Sequence, residues 1–92
     1  MLAKNPADLS QVDNKKKDQE ILRLAVIAEL DAVSLYEQLA AATNDKKLKK
    51  VLLEVAREEK THVGEFQTLL LQKDSQQVKE LEKGKKEVEE LT

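Results

Sequence analysis

Glu59 and His62 are the residues of this chain best suited to chemistry, and they stand three apart in Arg57-Glu58-Glu59-Lys60-Thr61-His62. In a helix that spacing puts both side chains on one face. The same face carries Leu52 and Val55 before them and Val63, Phe66 and Leu70 after. A carboxylate and an imidazole therefore interrupt an apolar stripe. Glu29 does the same in another apolar row, three residues after Val26 and four before Val33. An ionised carboxylate left unpaired in a core is costly, so something must compensate it. Oxygen donors with one imidazole suit Fe or Mn, and also Zn. Taken alone, Glu-x-x-His is short and common, and it also reads as an ion pair across one helical turn.

The elements that must position these groups are helices. Ninety-two residues allow one small domain, and two Gly with one Pro leave little turn chemistry. The chain is 40% hydrophobic but only 2% aromatic, so any core is aliphatic. The first helix is expected from about Lys17 to Ala42, with Leu22, Val26, Val33, Tyr36 and Ala40 along one face. Ile21, Ala25, Ala28, Ala32, Leu35 and Leu39 form a second row beside it, wider than one partner helix needs. Thr43-Asn44-Asp45 is the turn: Thr43 or Asn44 can cap the next helix, and Asp45 suits its positive first turn. So short a connection makes an antiparallel hairpin. The second helix runs from about Asp45 to Lys73, with Gly64 inside it as a candidate for close backbone approach. Asp74-Ser75 can cap a third helix from about Gln76 to Leu91, whose apolar positions are sparse. Its expected role is docking or subunit contact. The chain thus divides into an arm at 1–17 without an assigned function, a hairpin at 18–73 and a C-terminal helix at 74–92.

Hairpin arithmetic brings the chemistry together. Glu29 and Glu59 each lie fifteen residues from Asn44, about 22 Å along a helix. They share one level, and His62 lies one turn further on. Two helices cannot enclose such a site, and a domain this small is marginal alone. Two hairpins facing each other across a two-fold axis make a four-helix bundle. Di-iron carboxylate bundles need one Glu from each of two helices and Glu-x-x-His from each of two others. One chain carries half that set, so a homodimer carries all of it. Four carboxylates then balance two divalent cations.

The pattern Glu29 … Tyr36 … Glu59-x-x-His62, in Ala-Glu-Leu-Asp-Ala-Val-Ser-Leu-Tyr-Glu-Gln and Arg-Glu-Glu-Lys-Thr-His, resembles the encapsulated ferritins of the ferritin-like superfamily. The likeness covers roughly residues 20–91 and is nearest to the ferritin-like segment fused ahead of the shell domain in some archaeal encapsulins. It implies an all-α fold, dimerising into a ferritin-like four-helix bundle. It implies ferroxidase activity, Fe(II) to Fe(III), at a di-iron site made at a dimer interface. By the same resemblance Glu29, Glu59 and His62 are the iron ligands and Tyr36 is the site-adjacent tyrosine, though a core aromatic is the simplest reading of Tyr36. The implied assembly is a ring-shaped decamer of five dimers in the lumen of an encapsulin nanocompartment, in the cytoplasm, with a shell partner or a fused shell domain. Asp31 takes the place of a Glu of an outer metal-entry site. Ala28 and Leu35 stand where many relatives have a carboxylate and a Trp. No shell-targeting peptide is evident after Glu90-Leu91-Thr92.

Several other functions are disfavoured. The 18 acidic and 16 basic residues are interspersed to a net charge of −2, which gives nucleic acid no basic field. Lys15-Lys16-Lys17 reads as a solvated helix start. No run reaches membrane-spanning length. The absence of Cys excludes thiolate metal sites and disulfides and fits a reducing cytoplasm. It also argues against a rubrerythrin-like enzyme with a Cys-bound iron module. A non-catalytic oligomerisation module with a buried polar cluster is the remaining rival.

Overall fold

Cap chemistry divides the chain. In a computed structural model, which describes residues 13–92, Asp13 is extended and its carboxylate accepts from Lys16 N at 3.0 Å. Helix α1 therefore starts at Asn14 and runs to Ala42. That is three residues before the predicted start, because the cap, and not the Lys15–Lys17 run, sets the boundary. The expected N-terminal arm falls outside the described residues up to position 12, and its last residues are helix.

Asp45 caps α2 (Lys46–Lys73) by accepting from Lys47 N at 2.9 Å and Leu48 N at 3.0 Å. The predicted caps were Thr43 or Asn44. Thr43 instead accepts from Asp45 N through its hydroxyl, at 3.1 Å, and holds the capping residue in place. A single residue, Asp74, separates α2 from α3 (Ser75–Leu91) and caps α3 through Gln77 N at 3.0 Å. Among the described residues there is no strand.

Helices α1 and α2 pack against each other over the hairpin. Leu22, Val33 and Ala40 of α1 are spaced to share one helical face, and they are buried with Ala56 and Leu70 of α2. The tightest positions are the small residues Ala40 and Ala56, at 1% and 2% exposure. The hairpin is nevertheless unfinished. Ile21 and Leu39 on α1, with Leu48, Val51 and Leu69 on α2, remain 44% to 59% exposed. Gly64 faces open space among the described residues: a methyl added there would find no atom within 4 Å beyond its own helical turn.

Helix α3 buries no residue and packs only against α2. A radius of gyration of 16.5 Å exceeds the ~12 Å of a compact chain of this length. The extents of 47 × 41 × 20 Å need α3 to project away from the hairpin, since two packed helices are only about 20 Å wide.

Candidate metal centre

The direction of helical side chains, and not level alone, assembles the centre. On any helix the side chains lean toward its N-terminus. Along α1 that lean carries Glu29 away from the turn. Along α2 it carries His62 back toward the turn. The two therefore lean toward each other, and the one-turn offset between His62 and Glu59 closes. His62 Nδ1 lies 3.4 Å from Glu29 Oε2 and 3.3 Å from Glu59 Oε2. One ligand atom from each of Glu29, Glu59 and His62 falls within 4.8 Å of the others.

Burial is uneven. The Glu29 and Glu59 side chains are 21% and 18% exposed, while that of His62 is 43% exposed. The carboxylates sit beneath and the imidazole opens outward. The centre lies on the same side of the hairpin as the uncovered apolar residues Val51 and Leu69, which flank His62 at helical spacing.

Electrostatically the group is unfinished. Two carboxylates at this range repel. One imidazole nitrogen can give a proton to only one of them, and both separations exceed the usual ~2.9 Å. Glu29 Oε2 is buried without a hydrogen-bond partner. The nearby cations are engaged elsewhere: Lys60 Nζ pairs with Glu37 at 3.2 Å, and Arg57 Nε donates to Glu54 at 3.0 Å. Arg57 holds the Glu54 carboxyl below its ordinary range, and Glu54 raises Arg57 in return. An external cation suits this donor set: hard oxygens, one imidazole and an orphaned anionic atom.

The other predicted site residues stand apart. Tyr36 is half-buried on α1, two turns after Glu29. Asp31 is half-buried but follows Glu29 by two residues, which turns it about 200° around α1. It is not one of the three converging groups. Glu58 and Glu65 are exposed.

One polar cluster was not foreseen. At the open end of the hairpin Arg23 donates to Asp74 at 2.9 Å and also binds Glu20. Gln19 Nε2 donates to Lys73 O at 2.6 Å, and Lys73 Nζ lies 3.7 Å from Asp18. The Gln77 amide, then Arg23, hold the Asp74 carboxyl below its ordinary value. The capping role of Asp74 was legible in sequence. Its partner, fifty-one residues away, carried no local signal.

Comparison with known proteins adds an independent line. Residues 4–87 match the EncFtn-like family model. The whole chain is 54% identical to a ferritin-like–encapsulin shell fusion protein of Pyrococcus furiosus, of which the match covers 27%. Over 71 residues, 74% of this chain, it is 37% identical to the encapsulin nanocompartment cargo protein EncC of Myxococcus xanthus, of which 55% is covered. The chain thus spans only part of these relatives. The fold superposes on the crystal structure of the encapsulated ferritin domain from Pyrococcus furiosus with a TM-score of 0.84 and 52% identity. That match covers 100% of this chain and 96% of the other.

Proposed function

The chain belongs to the EncFtn-like family, and from that premise we propose that it is a ferroxidase whose di-iron site is closed by a second copy. Fe(II) is the substrate and dioxygen the oxidant. The carrying observation is the convergence of Glu29, Glu59 and His62 within 4.8 Å, with Glu29 Oε2 buried and lacking a hydrogen-bond partner. The uncovered apolar residues on the same side supply the reason for pairing. A second hairpin laid over Val51, Leu69 and Ile21 buries them and brings a second triad to the first. The pair then offers four carboxylates and two imidazoles, matched to two divalent ions. Mn or Zn would bind the same donors, and Zn would bind without redox turnover.

The chain's own groups divide the work. Glu29 and Glu59 would hold the ions through their carboxylate oxygens and offset their charge. His62 would add one imidazole nitrogen to the oxygen donors. Per turnover, two Fe(II), one dioxygen and two protons give two Fe(III) and one hydrogen peroxide. Tyr36, two turns from Glu29 on the same helix, keeps the site-adjacent role that the family resemblance implies. Asp31, half-buried on α1, would serve as a contact on the path of entry.

The names of the relatives support a setting: the lumen of an encapsulin compartment, with a shell protein or fused shell domain as partner. A ring of five dimers is the assembly the family resemblance implies. No described helix is long and apolar enough to cross a membrane. A second reading keeps the triad as an ion cluster that fixes helix register, favoured by the two contacts His62 already makes.

Anaerobic loading with Fe(II) followed by oxygen separates the two readings. The expected result is rapid Fe(III) formation in the parent chain and only the buffer rate in Glu29→Ala and His62→Ala. Parent-like rates in both variants would remove the assignment. Sedimentation should show that Fe(II) increases the paired fraction, because the metal-free pair sets four carboxylates against one another.

A further inference from the structure

Helix α3 has no packing of its own to hold its direction. It buries no residue, packs only against the end of α2, and leaves Val78, Leu81 and Val88 45% to 60% exposed. Its root is a single non-helical residue, Asp74. One residue with free φ and ψ is a swivel unless something outside α2 and α3 restrains it.

We propose that α1 supplies that restraint, and that Arg23 is the latch of an elbow that sets the angle of α3 against the hairpin. The two carboxylate oxygens of Asp74 act on different elements. Oδ1 accepts from Gln77 N and starts α3, a contact that moves with α3. Oδ2 accepts from Arg23 on α1, a contact that moves with the hairpin. The carboxylate plane therefore ties the first turn of α3 to the side of α1. Gln19 seizes the neighbouring Lys73 carbonyl, so consecutive backbone positions of the elbow are held from the same stretch of α1. The charge-assisted bond is shielded on its acceptor side, with the Asp74 side chain 11% exposed, while Arg23 is 40% exposed. Glu20 binds the other guanidinium branch and orients it. The latch lies two turns from Glu29 and shares no residue with the triad, so it does not depend on metal.

The chain has no Cys, so spin labels can be placed at Ser34→Cys on α1 and Glu87→Cys on α3, both exposed positions. Labelled chain is diluted with unlabelled chain so that pulsed electron resonance reads only distances within one copy. The expected parent result is a single narrow distribution. Arg23→Ala should widen it roughly two-fold or more while the helical circular dichroism of the hairpin persists. Arg23→Lys should restore part of the sharpness. Asp74→Asn keeps a good cap but loses the anion, and it should widen the distribution too; it decides the matter if Arg23→Ala fails to fold. A parent distribution that is already broad, or an Arg23→Ala or Asp74→Asn distribution as narrow as the parent's, overturns the latch.

Discussion

Two polar clusters join α1 to the C-terminal half of the hairpin, and they are built on opposite plans. At the elbow, donors and acceptors are matched. Asp74 takes a backbone amide on one oxygen and a guanidinium on the other, and Arg23 is shared with Glu20. At mid-hairpin, donors are short: two carboxylates face one imidazole nitrogen at 3.3 and 3.4 Å, and the farther oxygen, on Glu29, is buried without a hydrogen bond. A cluster that serves only the fold tends to be satisfied, because each orphaned group costs stability. The unsatisfied cluster is the one with room for something from outside. Burial alone does not separate them, since Asp74 is the more deeply covered carboxylate.

The contrast can be broken most severely by removing ligands. Glu59→Ala or His62→Ala should lower the rate of protein-dependent Fe(II) oxidation by about two orders of magnitude or more, to the buffer rate, if these residues hold iron as proposed. Arg23→Ala should leave that rate within a factor of about two, because no member of the elbow touches the triad. A loss of oxidation in Arg23→Ala would mean that the two clusters are not independent.

Stability should respond in the opposite sense. Replacing an uncompensated buried carboxylate by an apolar group of similar size often stabilises, by about 1–4 kcal/mol. Glu29→Met should therefore raise the metal-free melting temperature and abolish the stabilisation that Fe(II) or Zn(II) gives the parent. A fall in the metal-free melting temperature would show that Glu29 is already satisfied by His62.

Acid sharpens the difference further. The Asp74 carboxyl is held below its ordinary value of 3.8, first by the Gln77 amide and then by Arg23. A depressed folded-state value means that the stabilisation is fully present above the ordinary value and is lost as pH falls through the depressed one. Glu20 and Asp18 on α1 and Lys73 on α2 also face the elbow, and Arg23, raised by Asp74 and Glu20, stays charged throughout. The circular dichroism of α3 should thus hold down to about pH 4 and decline only below it. Fe(II) oxidation followed over the same pH range should not track this decline, since the elbow shares no residue with the triad. A common midpoint for both events would erase the distinction.

The smallest effect should come from the exposed pair Arg57–Glu54, which lies on α2 one turn from the triad. Such pairs contribute little in water. Arg57→Ala should melt within error of the parent and oxidise iron at the parent rate, and so serves as the control for proximity without participation.

Much of this was readable from residue types. The two apolar rows of α1, the hairpin turn at 43–45 and the break at Asp74 follow from periodicity and cap chemistry. Glu29, Glu59 and His62 were legible because each is an ionisable group in an apolar row. Helix starts were less legible, by three residues at Asn14 and by the choice of cap at Asp45, since several neighbouring residues could cap and only backbone geometry selects one. Asp31 was expected at an outer site and not with the triad, and it is not one of the three converging groups.

The sequence by itself determined which residues are helical, which faces are apolar, and that three ligand-type groups would share a region of one hairpin. These depend on local geometry and on a single short turn, both of which repeat from protein to protein. Only the tertiary structure decided that His62 reaches back to meet both carboxylates, and that Arg23 finds Asp74 across the open end. Those outcomes depend on side-chain lean and on the approach of segments thirty to fifty residues apart, where no local rule applies and packing chooses.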